Sequence, residues 1–205
     1  MNDFKRMLKD TAILLVITLI SGLLLGLVYQ ITKEPIAIQK DKAKQEACQE
    51  VFKDAVSFSE TECVQPDAAA WEEAGFKSET IDEVMAAQSE NNEILGYVIT
   101  VTTKEGYGGD ISFTIGIRND GTVNGISILS ISETAGLGMR AEEVLKPQFE
   151  GKNAEKFEYT KSGAAADYQI DAISGATITT NAVTNGVNAG LYYFQTQLKG
   201  GSENE

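Results

Sequence analysis

The chain has 205 residues, 42% of them hydrophobic and 23% charged, with a formal net charge of −13; this predicts a globular protein and argues against nucleic acid as a ligand. It contains no histidine and only two cysteines, Cys48 and Cys63, which excludes Ser-His-Asp triads, Cys-His dyads, histidine-ligated metals and four-thiolate iron–sulfur clusters built from this chain alone. The spacing of the two cysteines leaves open whether they form a disulfide or remain free thiols.

An apolar segment near the N-terminus predicts a membrane anchor. Residues 11–28 include no charged side chain, and as a helix they would be about 27 Å long, or about 31 Å with residues 29–31 added. A cleaved signal peptide would have a shorter apolar region followed by a small-x-small cleavage site, so an uncleaved anchor is favoured.

The charges on either side of this segment predict its orientation. Lys5, Arg6 and Lys9 precede it, whereas only Lys33 follows closely, so the N-terminus is expected in the cytoplasm and the rest of the chain outside a cell membrane crossed once. Residues 1–33 carry a net charge of +2, which leaves −15 for the remainder. We therefore expect the cytoplasmic N-terminus and the anchor to occupy residues 1–33.

Residues 34–78 are expected to form a juxtamembrane helix and a connection. Apolar residues recur at about four-residue intervals over residues 35–55, which predicts a helix that starts near Pro35 and continues from the anchor. Residues 57–77 are mostly polar and predict an irregular connection, with Trp71 and Phe76 turned inward.

Four later segments have the alternation or the β-branched content of strands, and turn-like residues separate them. They are residues 84–88, 94–103, 111–117 and 123–131. The strand at 111–117 is expected to have one buried face, and Asn119-Asp120-Gly121 predicts a hairpin turn after it. The four segments together predict an antiparallel sheet.

Three further elements are expected after the sheet. They are a short helix at 141–145 that ends in a break at Pro147, a strand at 168–173, and an amphipathic terminal helix with Thr179 or Thr180 as its N-cap. The whole pattern predicts an α+β fold, in which one N-terminal transmembrane helix precedes an extracytoplasmic domain with a mainly antiparallel sheet and flanking helices. This domain would span 79–199 and end in a polar tail at 200–205.

The most informative stretch is Asp171-Ala172-Ile173-Ser174-Gly175-Ala176-Thr177. Its small residues allow the backbone to approach a bulky phosphate, and Gly175 can adopt dihedral angles that other residues avoid. The hydroxyl of Thr177 follows at the entrance to the terminal helix, where unpaired N–H groups favour an anion. A loop that merely caps a helix is the alternative, but the specific order of residue types argues against it.

Two glycine-rich runs follow predicted strands, Gly106-Tyr107-Gly108-Gly109-Asp110 and Glu133-Thr134-Ala135-Gly136-Leu137-Gly138. Each run by itself is typical of a turn and indicates no ligand. Together with the stretch that ends at Thr177, they form a set of three motifs.

With these motifs the chain resembles the G subunit of the Rnf ion-translocating electron transport complex. It is also similar to the C subunit of the sodium-pumping NADH:quinone oxidoreductase, which carries the same FMN-binding domain. The resemblance covers almost the whole chain and implies that Thr177 carries covalent FMN through a phosphoester. The other residues that it assigns to the FMN site are Thr134, Gly136, Leu137, Gly138, Ser174, Gly175, Ala176, Tyr107 and Gly108. The chain departs from the family at Ala135, where proline is usual.

The resemblance implies an electron-relay subunit that is not itself catalytic. Its complex would couple electron transfer between ferredoxin and NAD to sodium or proton translocation. The implied partners are the other subunits, the membrane, and a flavin transferase that recognises Asp171; no metal site is expected in the chain.

Three alternatives remain open from the sequence. The chain could be the C-type subunit of the quinone-reducing complex, or a membrane-tethered flavoprotein that feeds an extracellular reductase. It could also be a non-redox binding or sensing module in which Thr177 is never modified.

Overall fold

The computed structural model describes residues 2–199, so the expected polar tail at 200–205 lies outside the described residues. The chain divides into two compact units, Met1–Ala43 and Lys44–Glu205. The first helix, α1, runs over Asn2–Val51 and supplies residues to both units. The domain limits at 33 and 78 stay predictions.

In the first unit, α1 has the length and composition of a membrane-spanning helix. The hydroxyls of Thr11, Thr18 and Thr32 donate to carbonyls one turn back, at 2.8, 3.1 and 2.9 Å, which satisfies them within the helix. The helix predicted after residue 35 does continue from the apolar segment, but it has no start at Pro35, which lies inside α1. The apolar segment before Pro35 is already helical, and the helix continues past Pro35. Only one backbone hydrogen bond is lost there, because proline has no N–H to donate.

The second unit is built on five antiparallel strands that are neighbours in chain order, four of which correspond to the predicted segments. The strands are β1 (Ser57–Thr61), β2 (Glu79–Gln88), β3 (Ile94–Thr103), β4 (Ile111–Arg118) and β5 (Val123–Ser130). The register of β3 and β4 places Ile99 opposite Ile115 and Val101 opposite Phe113, so these apolar side chains share one face. The hairpin predicted at residues 119–121 is confirmed, with Gly121 at φ +89°.

The terminal helix α5 (Thr177–Tyr193) packs on this face and continues into a π-helical turn at Phe194–Leu198. Two glycines set its distance from the sheet. A Cβ at Gly186 would lie 2.7 Å from Cζ of Phe113, and one at Gly190 would lie 2.6 Å from Cδ1 of Ile115. Larger residues at these two positions would push the helix outward.

The opposite face of the sheet is covered by the last turns of α1, where Cys48, Val51 and Phe52 are buried. The prediction of one buried face for β4 is therefore wrong, since its Thr114 and Gly116 are covered as well. A Cβ at Gly116 would lie only 2.8 Å from the carbonyl oxygen of Val51, so the two elements approach to backbone contact.

The segment predicted as an irregular connection contains two regular elements. Its first residues form β1, and Ala68–Glu73 form α2, whose first N–H groups bond to the Asp67 carboxylate at 3.0 and 3.1 Å. The prediction fails at β1 because this short polar strand is specified by pairing with β2 rather than by its own pattern. Trp71 and Phe76 do pack inward, with ring centroids 4.9 Å apart.

Other local predictions have mixed outcomes. The short helix near residue 141 is present as α3 (Ala141–Val144). A break follows at Leu145, and Pro147 lies in the first turn of the next helix, α4 (Lys146–Phe149), where proline fits. The late strand is present as β7 (Gln169–Asp171), and it pairs in parallel with an unpredicted strand, β6 (Glu158–Thr160). Cys48 and Cys63 are free thiols.

We expect Gly116→Ala to lower the free energy of unfolding of the full chain in detergent by about 1–3 kcal/mol, because the new methyl group would separate β4 from α1. The measurement is denaturant unfolding followed by Trp71 fluorescence. Gly22→Ala is the matched control, because a Cβ there meets nothing within 4 Å in this chain. Equal stability of the two variants would contradict the close contact.

Candidate functional site

Three loops meet at the N-terminal end of α5 and line an open cavity of about 550 Å³, a volume typical of small-molecule sites. The lining residues are Tyr107, Glu133, Thr134, Leu137, Gly138, Gly175, Ala176, Thr177, Ile178 and Thr179. The three sequence motifs, which are far apart along the chain, therefore meet in one place.

Most of the residues that the sequence assigns to the site lie on this wall. The exceptions among the assigned residues are Gly108, Gly136, Ser174 and Asp171, which lie outside the lining set. Three residues of the wall are not predicted as site residues: Glu133, Ile178 and Thr179. That each of these residues contacts a ligand stays a prediction.

Thr177 is the first residue of α5, and Ala176 is its N-cap with φ −132° and ψ 52°. The prediction of Thr179 or Thr180 as the cap is wrong, because the helix begins earlier and both hydroxyls have other partners. Ala176 has no side-chain acceptor, so the first-turn N–H groups of this 17-residue helix are left without a side-chain cap at the cavity. This is a favourable place for an anion such as a phosphate.

Thr180 fixes the loop that leads into α5. Its buried hydroxyl accepts a hydrogen bond from the Ile173 N–H at 3.0 Å and donates one to the Ala176 carbonyl at 3.0 Å. Gly175, between these two residues, has φ +79°, a left-handed conformation that glycine adopts readily. The loop before Thr177 is therefore held at both ends and sharply turned in the middle.

Glu133 joins its own motif to the Gly108 run and to the first turn of α5 through its carboxylate. Oε1 accepts from the Gly108 N–H at 3.1 Å, and Oε2 accepts from the Thr179 hydroxyl at 3.0 Å. The sequence shows Glu133 as the first residue of its motif, but nothing in the motif indicates which loops its side chain contacts.

Glycines permit the loops to approach one another. A Cβ at Gly138 would lie 2.5 Å from the Thr179 hydroxyl oxygen, and one at Gly108 would overlap the Ser132 carbonyl oxygen. The glycine-rich composition of these runs therefore reflects close loop packing as well as access to a ligand.

A second carboxylate fixes the next turns of α5. Glu105 accepts hydrogen bonds from the side-chain amides of Asn181 and Asn185 at 3.1 and 2.8 Å. Nearby, the buried Glu79 accepts from the Thr103 hydroxyl at 3.0 Å. Burial, followed by the proximity of Glu105, raises the pKa of Glu79 above its ordinary value. The loop that carries Tyr107 therefore starts at the end of β3, where Thr103 is hydrogen-bonded to β2 and Glu105 is hydrogen-bonded to α5.

Apolar side chains form the outer part of the cavity. Tyr107, Leu137 and Ile178 are 72%, 40% and 52% exposed, which is high for side chains of this size. An anion site at a helix start beside apolar and aromatic walls suits a ligand that carries both a phosphate and a flat ring system. Among the described residues, no group of three or more Cys, Asp and Glu side chains is placed to hold a metal ion.

Asp171 lies at the end of β7, away from the cavity wall. Its carboxylate accepts from the Ala164 N–H at 2.6 Å, and its own N–H donates to Gln148 Oε1 at 2.7 Å. The side chain is exposed, so it is accessible to a protein partner while it also orders the neighbouring loop.

Comparison with known proteins gives two family matches. Residues 106–192 match the family described as the FMN-binding domain, and residues 1–51 match the one described as the RnfG N-terminal region. The first match contains the three motifs that line the cavity.

Similar proteins match along most of the chain. The G subunit of the Na(+)-translocating ferredoxin:NAD(+) oxidoreductase complex of Acetobacterium woodii is 33% identical over 96% of both chains. The G subunit of the proton-translocating ferredoxin:NAD(+) oxidoreductase complex of Clostridium ljungdahlii is 34% identical over 82% of this chain and 80% of that one. The crystal structure of Shewanella oneidensis NqrC has a TM-score of 0.49 at 18% identity, covering 72% of this chain and 84% of that one.

We expect Thr180→Val to lower the free energy of unfolding by about 1–3 kcal/mol, because it leaves the buried Ile173 N–H without its acceptor. Thr184→Val is the matched control. The Thr184 hydroxyl is also buried, but it only donates to the Thr180 carbonyl of its own helix, so its loss should cost less than about 1 kcal/mol. Denaturant unfolding of the full chain measures both values, and equal losses would show that the loop bond contributes little.

Proposed function

This chain belongs to the family of G subunits of the Rnf ion-translocating oxidoreductase complexes, and we propose that it is an electron-relay subunit whose FMN is bound covalently to Thr177. Because its relatives are named as subunits of sodium- and proton-translocating ferredoxin:NAD(+) oxidoreductases, we assign this chain to a complex with that reaction. Catalysis of the overall reaction then belongs to the complex rather than to this subunit.

The observation that carries the proposal is the position of Thr177. Of the three threonines at the start of α5, Thr179 and Thr180 are buried and hydrogen-bonded inside the domain. Thr177 instead lies partly exposed on the cavity wall, at the first helical position. A phosphoester on this hydroxyl would lie beside the first-turn N–H groups, which favour its negative charge.

The cavity has the chemical character that FMN requires. The helix start and the Gly175 turn offer backbone to the phosphate, while Leu137, Ile178 and Tyr107 offer apolar surface to the ring. When bound, FMN supplies the electron transfer. The protein's own residues hold the phosphate, orient the ring and keep water from its covered side.

Attachment would follow from transfer by a flavin transferase. The Thr177 oxygen would form a bond to the FMN phosphorus of FAD, the phosphoanhydride bond to AMP would break, and the hydroxyl proton would be lost to the transferase or to solvent. A covalent link suits a domain outside the membrane, where free flavin would be diluted. The charge distribution around α1 supports that placement, with the N-terminus in the cytoplasm.

Thr177→Val should abolish covalent flavin. The full chain is co-produced with a flavin transferase and exported, and its denatured gel band is inspected under ultraviolet light, with intact mass as a second measurement. The wild-type chain should fluoresce and gain the mass of FMN less one water. Thr177→Ser, which keeps a hydroxyl, should retain labelling.

Thr196→Val is the matched control, because it removes an exposed threonine hydroxyl that lies outside the cavity wall. It should stay fluorescent. A dark wild-type band would exclude covalent FMN, and it would favour the non-redox binding module. A Thr177→Val band as bright as wild type would move the attachment to another residue.

Asp171→Asn and Asp171→Ala test the proposed recognition by the transferase. Loss of one charge-assisted hydrogen bond, worth about 1.5–3 kcal/mol, should slow labelling about tenfold or more in both variants. Asparagine can still accept from the Ala164 N–H, so it separates recognition from loop order. If Asp171→Asn is labelled at the wild-type rate, the carboxylate is not recognised and its role is to hold the loop.

A further inference from the structure

We propose that Glu133 is a positioning residue that joins the walls of the FMN cavity and, through the charge of its carboxylate, lowers the reduction potential of the bound flavin. The proposal rests on the assignment of the cavity to FMN. The proposal gives a role to Glu133, which lies on the cavity wall although the sequence does not predict it as a site residue.

The position of the carboxylate is fixed from two sides. Its bonds to the Gly108 N–H at 3.1 Å and to the Thr179 hydroxyl at 3.0 Å use one oxygen each, and they reach a loop and the first turn of α5. Thr179 is buried in the first turn of α5, two residues after Thr177. Glu133 therefore relates the attachment point to the opposite walls of the cavity.

Two glycines allow the backbone to pack closely against the Glu133 carboxylate. A Cβ at Gly106 would lie 2.8 Å from Oε1, and a Cβ at Gly138 would lie 2.8 Å from Oε2. Each oxygen is thus packed against backbone that has no room for a side chain. The loops on both sides close around Glu133 as well as around the cavity.

The charge of Glu133 is not balanced by a cation. Within residues 2–199, its hydrogen-bond donors are a backbone N–H and a hydroxyl, both uncharged, and no Lys or Arg forms an ion pair with it. The side chain is partly buried and lies on the cavity wall, where solvent screens a charge less than at an open surface.

Electrons that the complex delivers to the flavin add negative charge to the ring system. A carboxylate on the wall of the same cavity opposes this gain, so it favours the oxidised flavin and lowers its potential. Because the carboxylate is held by two hydrogen bonds, it cannot swing into solvent to relieve the repulsion without breaking them. The same two hydrogen bonds therefore position the cavity walls and hold the charge that lowers the reduction potential of the flavin.

The test compares Glu133→Gln and Glu133→Ala in the flavin-loaded full chain. Glutamine has the shape of glutamate; its oxygen can accept from the Gly108 N–H, and its amide can donate to the Thr179 hydroxyl, so it removes the charge while keeping contacts. We expect an upward shift of the midpoint potential in Glu133→Gln, measured by spectroelectrochemical titration. Glu133→Ala should show a similar upward shift.

A second measurement requires no flavin. Amide hydrogen exchange in the unlabelled chain should speed up at residues 106–110 in Glu133→Ala and much less in Glu133→Gln, because only alanine removes the acceptor from the Gly108 N–H. Unchanged exchange in Glu133→Ala would overturn the positioning role. This result does not depend on whether Thr177 is ever modified.

Glu73→Gln is the matched control for the loss of one negative charge, since Glu73 is exposed on α2 and outside the cavity. It should leave the potential unchanged. A Glu133→Gln potential equal to that of wild type would overturn the electrostatic role, and so would a shift seen only in Glu133→Ala, which would reflect loosened packing. If the wild-type chain never acquires covalent flavin, the attachment proposal fails instead.

Discussion

The position of Thr177 depends on how closely the rest of α5 is seated against the sheet. Gly186 and Gly190 allow the helix to approach Phe113 and Ile115 at distances that any Cβ would prevent. This contact fixes the axis of α5, and with it the place where the first turn emerges beside the other two loops. A helix displaced by one methyl group at its middle would present its N-terminus to a different part of the cavity.

Along α5, apolar packing gives way to polar contacts near the site. Val183, Val187 and Leu191 are buried in the core, whereas the first turns are held by Glu105, Glu133 and the loop bonds of Thr180. Hydrogen bonds are directional, so they define the orientation of the loops more sharply than apolar contact would. The arrangement employs every hydroxyl of the first turns except that of the residue proposed for modification.

Sequence patterns predicted what is local. Strand β4 and the hairpin at residues 119–121 are encoded by neighbouring residues, and the structure has both, although both faces of β4 are covered. Tertiary pairing specifies β1 and β6, whose short polar sequences have no strand pattern of their own. The three motifs meet at the cavity, but the sequence does not indicate which of their side chains line it. Gly108 is not among the residues that line the cavity, whereas Glu133 is, although no motif assigns Glu133 to the ligand.

The end of α1 has two roles at once, because Cys48, Val51 and Phe52 belong both to the helix that begins in the apolar segment and to the core of the second unit. A fragment started at β1 would lack Val51 and Phe52, which lie against Gly96 and Gly116 and pack in one cluster with Val98. Any soluble version of the domain would therefore have to retain the last two turns of α1. Cleavage of the chain between residues 52 and 57 would detach Val51 and Phe52 from the strands that they cover.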